Sequence, residues 1–112
     1  MVKVKRFEVW LINLNPTQGS EINKSRPYMV VSPDEANNFL NTIIIVPLTS
    51  TLRDYPTRVN CTFQNKSGQL AIDQIRAVDK SRLISKIGIM SDEISVELCA
   101  VLTETFKYYA LL

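Results

Sequence analysis

The hydrophobic pattern changes period once, at Ser91, and that change limits what the chain can fold into. Before it, apolar residues come in short runs of strand type. Phe7, Val9 and Leu11 alternate with Glu8, Trp10 and Ile12, so residues 6–14 read as a strand with aromatics on both faces. Tyr28 to Ser32 and Thr42 to Leu48 are β-rich, and Pro33 to Leu40 between them suits a turn or two of helix. Ile43 to Val46 lacks alternation, which predicts a central strand covered on both faces. Further strands are expected over Thr57 to Phe63, Gln69 to Val78 and Ser81 to Ile87, with a turn over Gln64 to Gly68. After it, Ile94, Leu98, Val101, Leu102, Thr105 and Tyr109 recur at helical spacing behind Ser91 as N-cap, with Asp92 and Glu93 complementing the helix terminus. The expected fold is mainly β with α: a small, barrel-like, strongly curved antiparallel sheet with a C-terminal helix. A chain of 112 residues makes one such domain, spanning 1–112, and the polar loops at 15–25 and 49–56 would gather near one mouth.

Residue types exclude several chemistries. The chain has no His, and its two cysteines, Cys61 and Cys99, stand far apart. Cys/His zinc sites, Cys-His nucleophiles and Ser-His-Asp triads are therefore ruled out. The acidic residues before the helix (Glu8, Glu21, Asp34, Glu35, Asp54, Asp73 and Asp79) are scattered, whereas divalent-metal catalysis usually gathers several carboxylates. Neither a metal nor a cofactor is expected. The longest strongly apolar stretch, Ile43 to Leu48, is far too short to span a membrane. No apolar segment of signal type follows the basic start, which predicts a cytoplasmic chain with reduced thiols.

Charge is uneven: residues 1–90 carry twelve Lys or Arg against seven Asp or Glu, while 91–112 carry one against four. A basic body is compatible with a polyanionic partner, although surface solvation explains such charges equally well. The long polar loop from Asn15 ends at Arg26-Pro27, where Pro27 holds Arg26 extended at the start of a strand. An Arg there can clamp a phosphate through two N–H groups, or pair with Glu21 or Glu8.

Several segments resemble, in order and at family spacing, the MazF/PemK/Kid toxins, the ribonuclease members of bacterial type II toxin–antitoxin pairs. They are Trp10-Leu11-Ile12-Asn13-Leu14-Asn15-Pro16-Thr17-Gln18-Gly19-Ser20-Glu21, Ser25-Arg26-Pro27-Tyr28-Met29-Val30-Val31-Ser32-Pro33, Val46-Pro47-Leu48-Thr49-Ser50, Tyr55-Pro56, and Leu70-Ala71-Ile72-Asp73-Gln74-Ile75-Arg76-Ala77-Val78-Asp79. The resemblance implies an SH3-like barrel of the PemK/CcdB type. It also implies a homodimeric, growth-regulating endoribonuclease that cuts single-stranded RNA at short motifs without metal. Attack by the ribose 2′-hydroxyl would leave a 2′,3′-cyclic phosphate and a 5′-hydroxyl. The implied partners are mRNA and a cognate antitoxin with an acidic, disordered segment, with DNA reached only through the antitoxin complex.

The family's catalytic Arg falls on Arg26 and its catalytic Thr on Thr49; its loop Ser-Glu pair matches Ser20 and Glu21, and its acidic-Gln pair Asp73 and Gln74. Ser50, beside Thr49, joins Ser20 and Gln74 as an expected substrate contact. Phe7 stands where many members have Gly, Ser20 where some have a catalytic His, and Ala71 where the same subgroup has Arg. The Kid-style His–Arg–Asp assignment therefore does not transfer, and the chain looks like the Arg–Thr branch.

Internal attack at phosphorus needs a base for the 2′-hydroxyl, a cation for the extra phosphate charge, and an acid for the leaving oxygen. Arg26 fits the second task, an electrostatic contribution often worth about 3–4 kcal/mol, and Thr49 adds a hydroxyl hydrogen bond. Glu21 or Asp73 would be the base. Trp10 and Tyr28 could stack on bases, but strand aromatics are more simply core, as are Met29 and Met90. Tyr55-Pro56 reads as a loop anchor, and Lys80, Arg82 and Lys86 suit either an RNA track or a charged sheet edge. The leading rival, a gyrase poison of CcdB type, depends on a Trp-Gly-Ile terminus, whereas this chain ends Tyr109-Ala110-Leu111-Leu112. A binding domain without catalysis is the second rival, against which both Arg26 and Thr49 count.

Overall fold

Strands lie near where the hydrophobic pattern predicted them, except that Ser81 and Arg82, expected in the last strand, sit in a 3-10 turn at Lys80–Arg82 before it. The structure, a computed structural model, describes residues 2–14 and 25–109. Its strands are β1 (Glu8–Ile12), β2 (Arg26–Val30), β3 (Thr42–Thr49), β4 (Arg58–Phe63), β5 (Lys66–Ala71), β6 (Arg76–Asp79) and β7 (Leu83–Ile89). Two helices accompany them, α1 (Asp34–Phe39) and α2 (Asp92–Phe106). The antiparallel sheet runs β4-β5-β3-β2-β1-β7, with β6 also pairing β3. It does not close into a barrel. The path's two ends do meet: the Gln64 side chain donates to the Ile87 carbonyl at 2.7 Å, and the Phe63 ring lies over Gly88. No β4–β7 ladder forms among the described residues.

β3 serves two partners on one side. Its first half, Thr42 to Ile45, pairs with β6, and its end, Leu48 and Thr49, pairs with β5. Pro47, which has no N–H to give, sits in the gap between them. The expectation of cover on both faces holds at Ile45 and Val46, adjacent residues that are both fully buried. It fails at Ile44, which faces solvent.

Two further expectations need correction. The turn predicted over Gln64 to Gly68 is only Gln64-Asn65, with φ of 51° and 64°. Both residues take the left-handed region, as a two-residue hairpin of this hand requires, so β5 begins at Lys66. Gly68 lies inside the strand instead, because a Cβ there would stand 2.7 Å from the Thr49 carbonyl oxygen. The single strand predicted over Gln69 to Val78 is broken by a 3-10 turn at Ile72–Gln74, which redirects the chain from β5 to β6.

Two clusters fill the interior. Val9, Met29, Val46, Val59, Leu70, Ile72, Met90 and Leu98 form the first, beneath α2. Trp10, Ile12, Val30, Ile43, Ile45 and Val78 form the second, toward the opposite face of the central strands. Met29, Met90 and Trp10 are thus core residues, and the Trp10 indole donates to Glu8 at 3.1 Å. Ser91 caps α2, its hydroxyl accepting from the Ile94 N–H at 3.4 Å. The helix buries Ser95 and Leu98 and half-buries Ile94, Cys99, Val101 and Leu102. Thr105 and Tyr109, expected on that face, are exposed.

Candidate RNA-cleavage site

Arg26 is the first residue of β2 and Thr49 the last of β3. Their strands pair antiparallel, with Tyr28 opposite Pro47, Met29 opposite Val46 and Val30 opposite Ile45. Continued by two residues, this register sets Arg26 against Thr49. The row extends on both sides: Ile12 is paired with Arg26, Gln69 with Thr49, and Asn60 with Gln69. Directly opposed residues share a face, so this row lies on the face away from the first cluster and its helix.

Arg26 is exposed, and one of its guanidinium nitrogens donates to the Ser25 carbonyl at 3.0 Å. Tyr28, two residues along the same strand, is half-buried, and burial raises its hydroxyl pKa despite the opposing pull of Arg76 and Arg26. Arg76, on β6, is paired with Ile45 and exposed. Arg53, in the loop after Thr49, is exposed as well. Arg26, Arg53 and Arg76 therefore put positive charge around the mouth.

The loop leaving Thr49 is held by side chains at several points. Thr49 Oγ1 accepts from the Thr51 N–H at 3.0 Å. Arg58 Nη1 donates to the Thr51 carbonyl at 3.1 Å and to Gln69 Oε1 at 3.3 Å. The buried amide of Gln69 accepts from the Arg53 N–H at 3.0 Å and donates to the Arg53 carbonyl at 3.2 Å and to Asn60 Oδ1 at 3.0 Å. Across from them Arg58 forks onto Asp73, with Nε 2.9 Å from Oδ1 and Nη2 3.4 Å from Oδ2. Thr57 donates to Asp73 Oδ1 at 3.0 Å, and the Tyr55 ring lies 5.2 Å from the Arg58 guanidinium carbon. Tyr55 thus anchors the loop as expected.

Of the predicted site residues, Arg26 and Thr49 lie at the same end of β2 and β3, two residues beyond the last pair of their ladder, and Ser50 follows Thr49 on the exposed loop. Asp73 reaches the loop only through Arg58 and Thr57, while Gln74 is exposed beside it on the 3-10 turn. Ser20 and Glu21 lie outside the described residues. The Arg58 hydrogen bond above all holds the Asp73 carboxyl below its ordinary range, against a smaller opposing effect of burial. A carboxylate so engaged is a poor proton acceptor. Among the described residues no group of three or more Cys, Asp or Glu is placed to hold a metal ion.

Arg58 and Gln69 were not singled out by the sequence. The available signal was faint: a Gln between Gly68 and Leu70 in a strand, and an Arg closing a polar loop. Lys86, which suits either an RNA track or a charged sheet edge, has its ammonium 2.9 Å from Glu8 Oε2.

Comparison with known proteins gives the family and the fold. Residues 5–106 match the family described as PemK-like, MazF-like toxin of type II toxin-antitoxin system. Among solved structures, an endoribonuclease in complex with its cognate antitoxin from a mycobacterial species superposes with a TM-score of 0.79 at 20% identity, covering 95% of this chain and 99% of that one. A MazE–MazF complex from Deinococcus radiodurans gives 0.76 at 20% identity, over 94% and 96%. MazF alone from the same organism gives 0.75 at 23% identity, over 94% and 97%.

Proposed function

The chain belongs to the PemK-like, MazF-like toxins of type II toxin–antitoxin systems, and from that premise we propose that it is a sequence-specific endoribonuclease. It cleaves single-stranded RNA, mRNA above all, without a metal ion. The observation that carries the reading is the juxtaposition of Arg26 and Thr49 at one end of adjacent strands, on an exposed and cationic mouth. The similar structures, an endoribonuclease with its cognate antitoxin and a MazE–MazF complex, support the same reading.

In the proposed reaction the 2′-hydroxyl loses its proton and attacks the adjacent phosphorus. The P–O5′ bond breaks and the leaving 5′-oxygen takes a proton from solvent water, leaving a 2′,3′-cyclic phosphate and a 5′-hydroxyl. Arg26 clamps the phosphate oxygens as negative charge builds, and Thr49 donates a hydroxyl hydrogen bond to the same group. A guanidinium with a pKa above about 12 is a poor proton shuttle, so its task is electrostatic. Asp73 is already committed to Arg58, which leaves Glu21 as the base. Ser20, Ser50 and Gln74 contact the substrate around this centre. The protein works as a cytoplasmic homodimer that restrains growth. A cognate antitoxin with an acidic, disordered segment inhibits it, and DNA is reached only through that complex.

The test is incubation of the pure protein with a long single-stranded RNA in EDTA. Discrete fragments with cyclic-phosphate ends support the reading. Binding without cleavage would make the chain an RNA-binding domain, and neither would return it to the gyrase-poison class.

A further inference from the structure

Arg58 carries a charge on a side chain only 6% exposed, spent on partners within its own chain. Burying a guanidinium is expensive unless every donor is matched, and such pairs often add little to stability compared with apolar packing. Here the donors are matched in a particular way: half the fork meets Asp73, and the other half meets the main-chain carbonyl of Thr51 and the amide oxygen of Gln69. Thr51 is held from its other side as well, since its N–H is given to Thr49 Oγ1. A hydroxyl oxygen that accepts from a fixed N–H keeps its own proton for another acceptor and has its direction constrained.

We infer that Arg58 is a positioning residue for cleavage: pinned by Asp73, it fixes the Thr51 peptide and thereby aims the Thr49 hydroxyl at the phosphate. The inference rests on the reading of Thr49 as a catalytic group. It also gives Asp73 a role that needs no proton transfer. Gln69 supports the same device by holding both main-chain polar groups of Arg53, so the loop cannot drift away from Thr51. Lysine at position 58 would keep the charge but not the fork, and could not satisfy Asp73 and the Thr51 carbonyl in the same geometry.

The experiment is a double-mutant cycle with single-turnover cleavage as the readout. It uses wild type, Arg58→Lys, Thr49→Ala and the double variant. Affinity is measured separately with an RNA carrying deoxyribose at the cut site. Arg58→Lys should slow cleavage about 10- to 100-fold with affinity changed less than about threefold. In the Thr49→Ala background it should cost almost nothing more, because its target is already gone. Asp73→Asn should behave like Arg58→Lys and leave the shape of the pH–rate profile unchanged. It also supplies the cycle if Arg58→Lys fails to fold. Independent, multiplicative effects at positions 49 and 58 would overturn the inference. So would loss of a limb of the pH profile in Asp73→Asn, which would make Asp73 the base. If wild type fails to cleave any RNA, the proposed function falls first; if wild type cleaves and the cycle is additive, only the positioning role falls.

Discussion

Arg26 and Thr49 close the same end of neighbouring antiparallel strands, two residues beyond the last pair of the β2–β3 ladder. In the proposed reaction this cation and this hydroxyl act on one phosphate. Arg26→Ala should therefore reduce cleavage about 100- to 1000-fold while the fold survives, since the side chain is exposed. Thr49→Ala should cost less, because a neutral donor bonds an anion more weakly. Activity in Arg26→Ala within tenfold of wild type would show that the clamp lies elsewhere.

In the proposed reaction the nucleophile is part of the substrate, so it can be removed without touching the protein. Deoxyribose at the single position 5′ to the cut should stop cleavage and leave binding nearly intact. Product ends should be cyclic phosphate and 5′-hydroxyl, with or without EDTA. A 5′-phosphate end, detected by ligation or mass spectrometry, would point to attack by water instead.

Glu8 ties the first strand to the sheet edge. Its buried carboxylate accepts from the Lys5 N–H at 2.9 Å and from Trp10, and it pairs with Lys86. Burial alone would raise its pKa, but these partners outweigh burial and hold it below the ordinary value. A carboxyl lowered in the folded state contributes stability that is present above its unfolded pKa and lost as pH falls through the folded one. Stability should thus decline below about pH 4.3, the usual glutamate value. Glu8→Gln should cost about 1–3 kcal/mol at pH 7 and less at pH 3, measured by urea unfolding at both. An equal loss at the two pH values would mean that packing, not charge, matters at this position.

Phe7 explains a departure from the family pattern. Its φ is 72°, a region that suits glycine, and its N–H and carbonyl bond Val30 and Met90 at 2.7 and 2.9 Å. The backbone there is fixed by β1's neighbours, and this chain fills the position with a ring that packs against the first core cluster. Phe7→Gly would relieve strain of about 1–3 kcal/mol but lose packing worth about 3–5 kcal/mol for a full core Phe. The expected net loss is about 1–2 kcal/mol by thermal or urea unfolding. A gain in stability would mean that the ring contributes little.

Most strands were legible because alternation is a local signal, and the Ser91 cap made the helix start equally plain. The turn after β4 was legible but its two-residue extent was not, because neither Gln64 nor Asn65 is glycine and only the hairpin geometry shows both in the left-handed region. The break at Ile72–Gln74 was hidden because Leu70, Ala71 and Ile72 are all buried and read as one apolar run. Arg26 and Thr49 were legible as family positions at strand ends. Arg58 and Gln69 were not, since a polar residue on a strand ordinarily faces water. Their burial depends on how residues 50–57 fold back over β4 and β5, a tertiary fact that no local pattern carries.

Inhibition by the antitoxin should follow from the charge of the mouth. Arg26, Arg53 and Arg76 are all exposed, and the loop between Thr49 and Arg58 adds exposed Leu52 and Tyr55 beside them. Phosphates can use the cations only. A flexible acidic peptide can use the cations and also bury apolar side chains on Leu52 and Tyr55. Ordering such a peptide costs free energy, so tight inhibition requires a long contact rather than a few ion pairs. Counterion release governs the RNA complex, whose affinity should fall steeply with salt; the peptide complex should fall less, because apolar contacts are not screened. The measurement is a titration of the antitoxin's acidic segment against bound, cleavage-resistant RNA at two salt concentrations. The peptide should displace RNA at both and gain relative advantage at the higher one. Arg76→Ala should weaken RNA binding and flatten its salt dependence. Simultaneous binding of peptide and RNA at either salt would place the inhibitor on a separate surface.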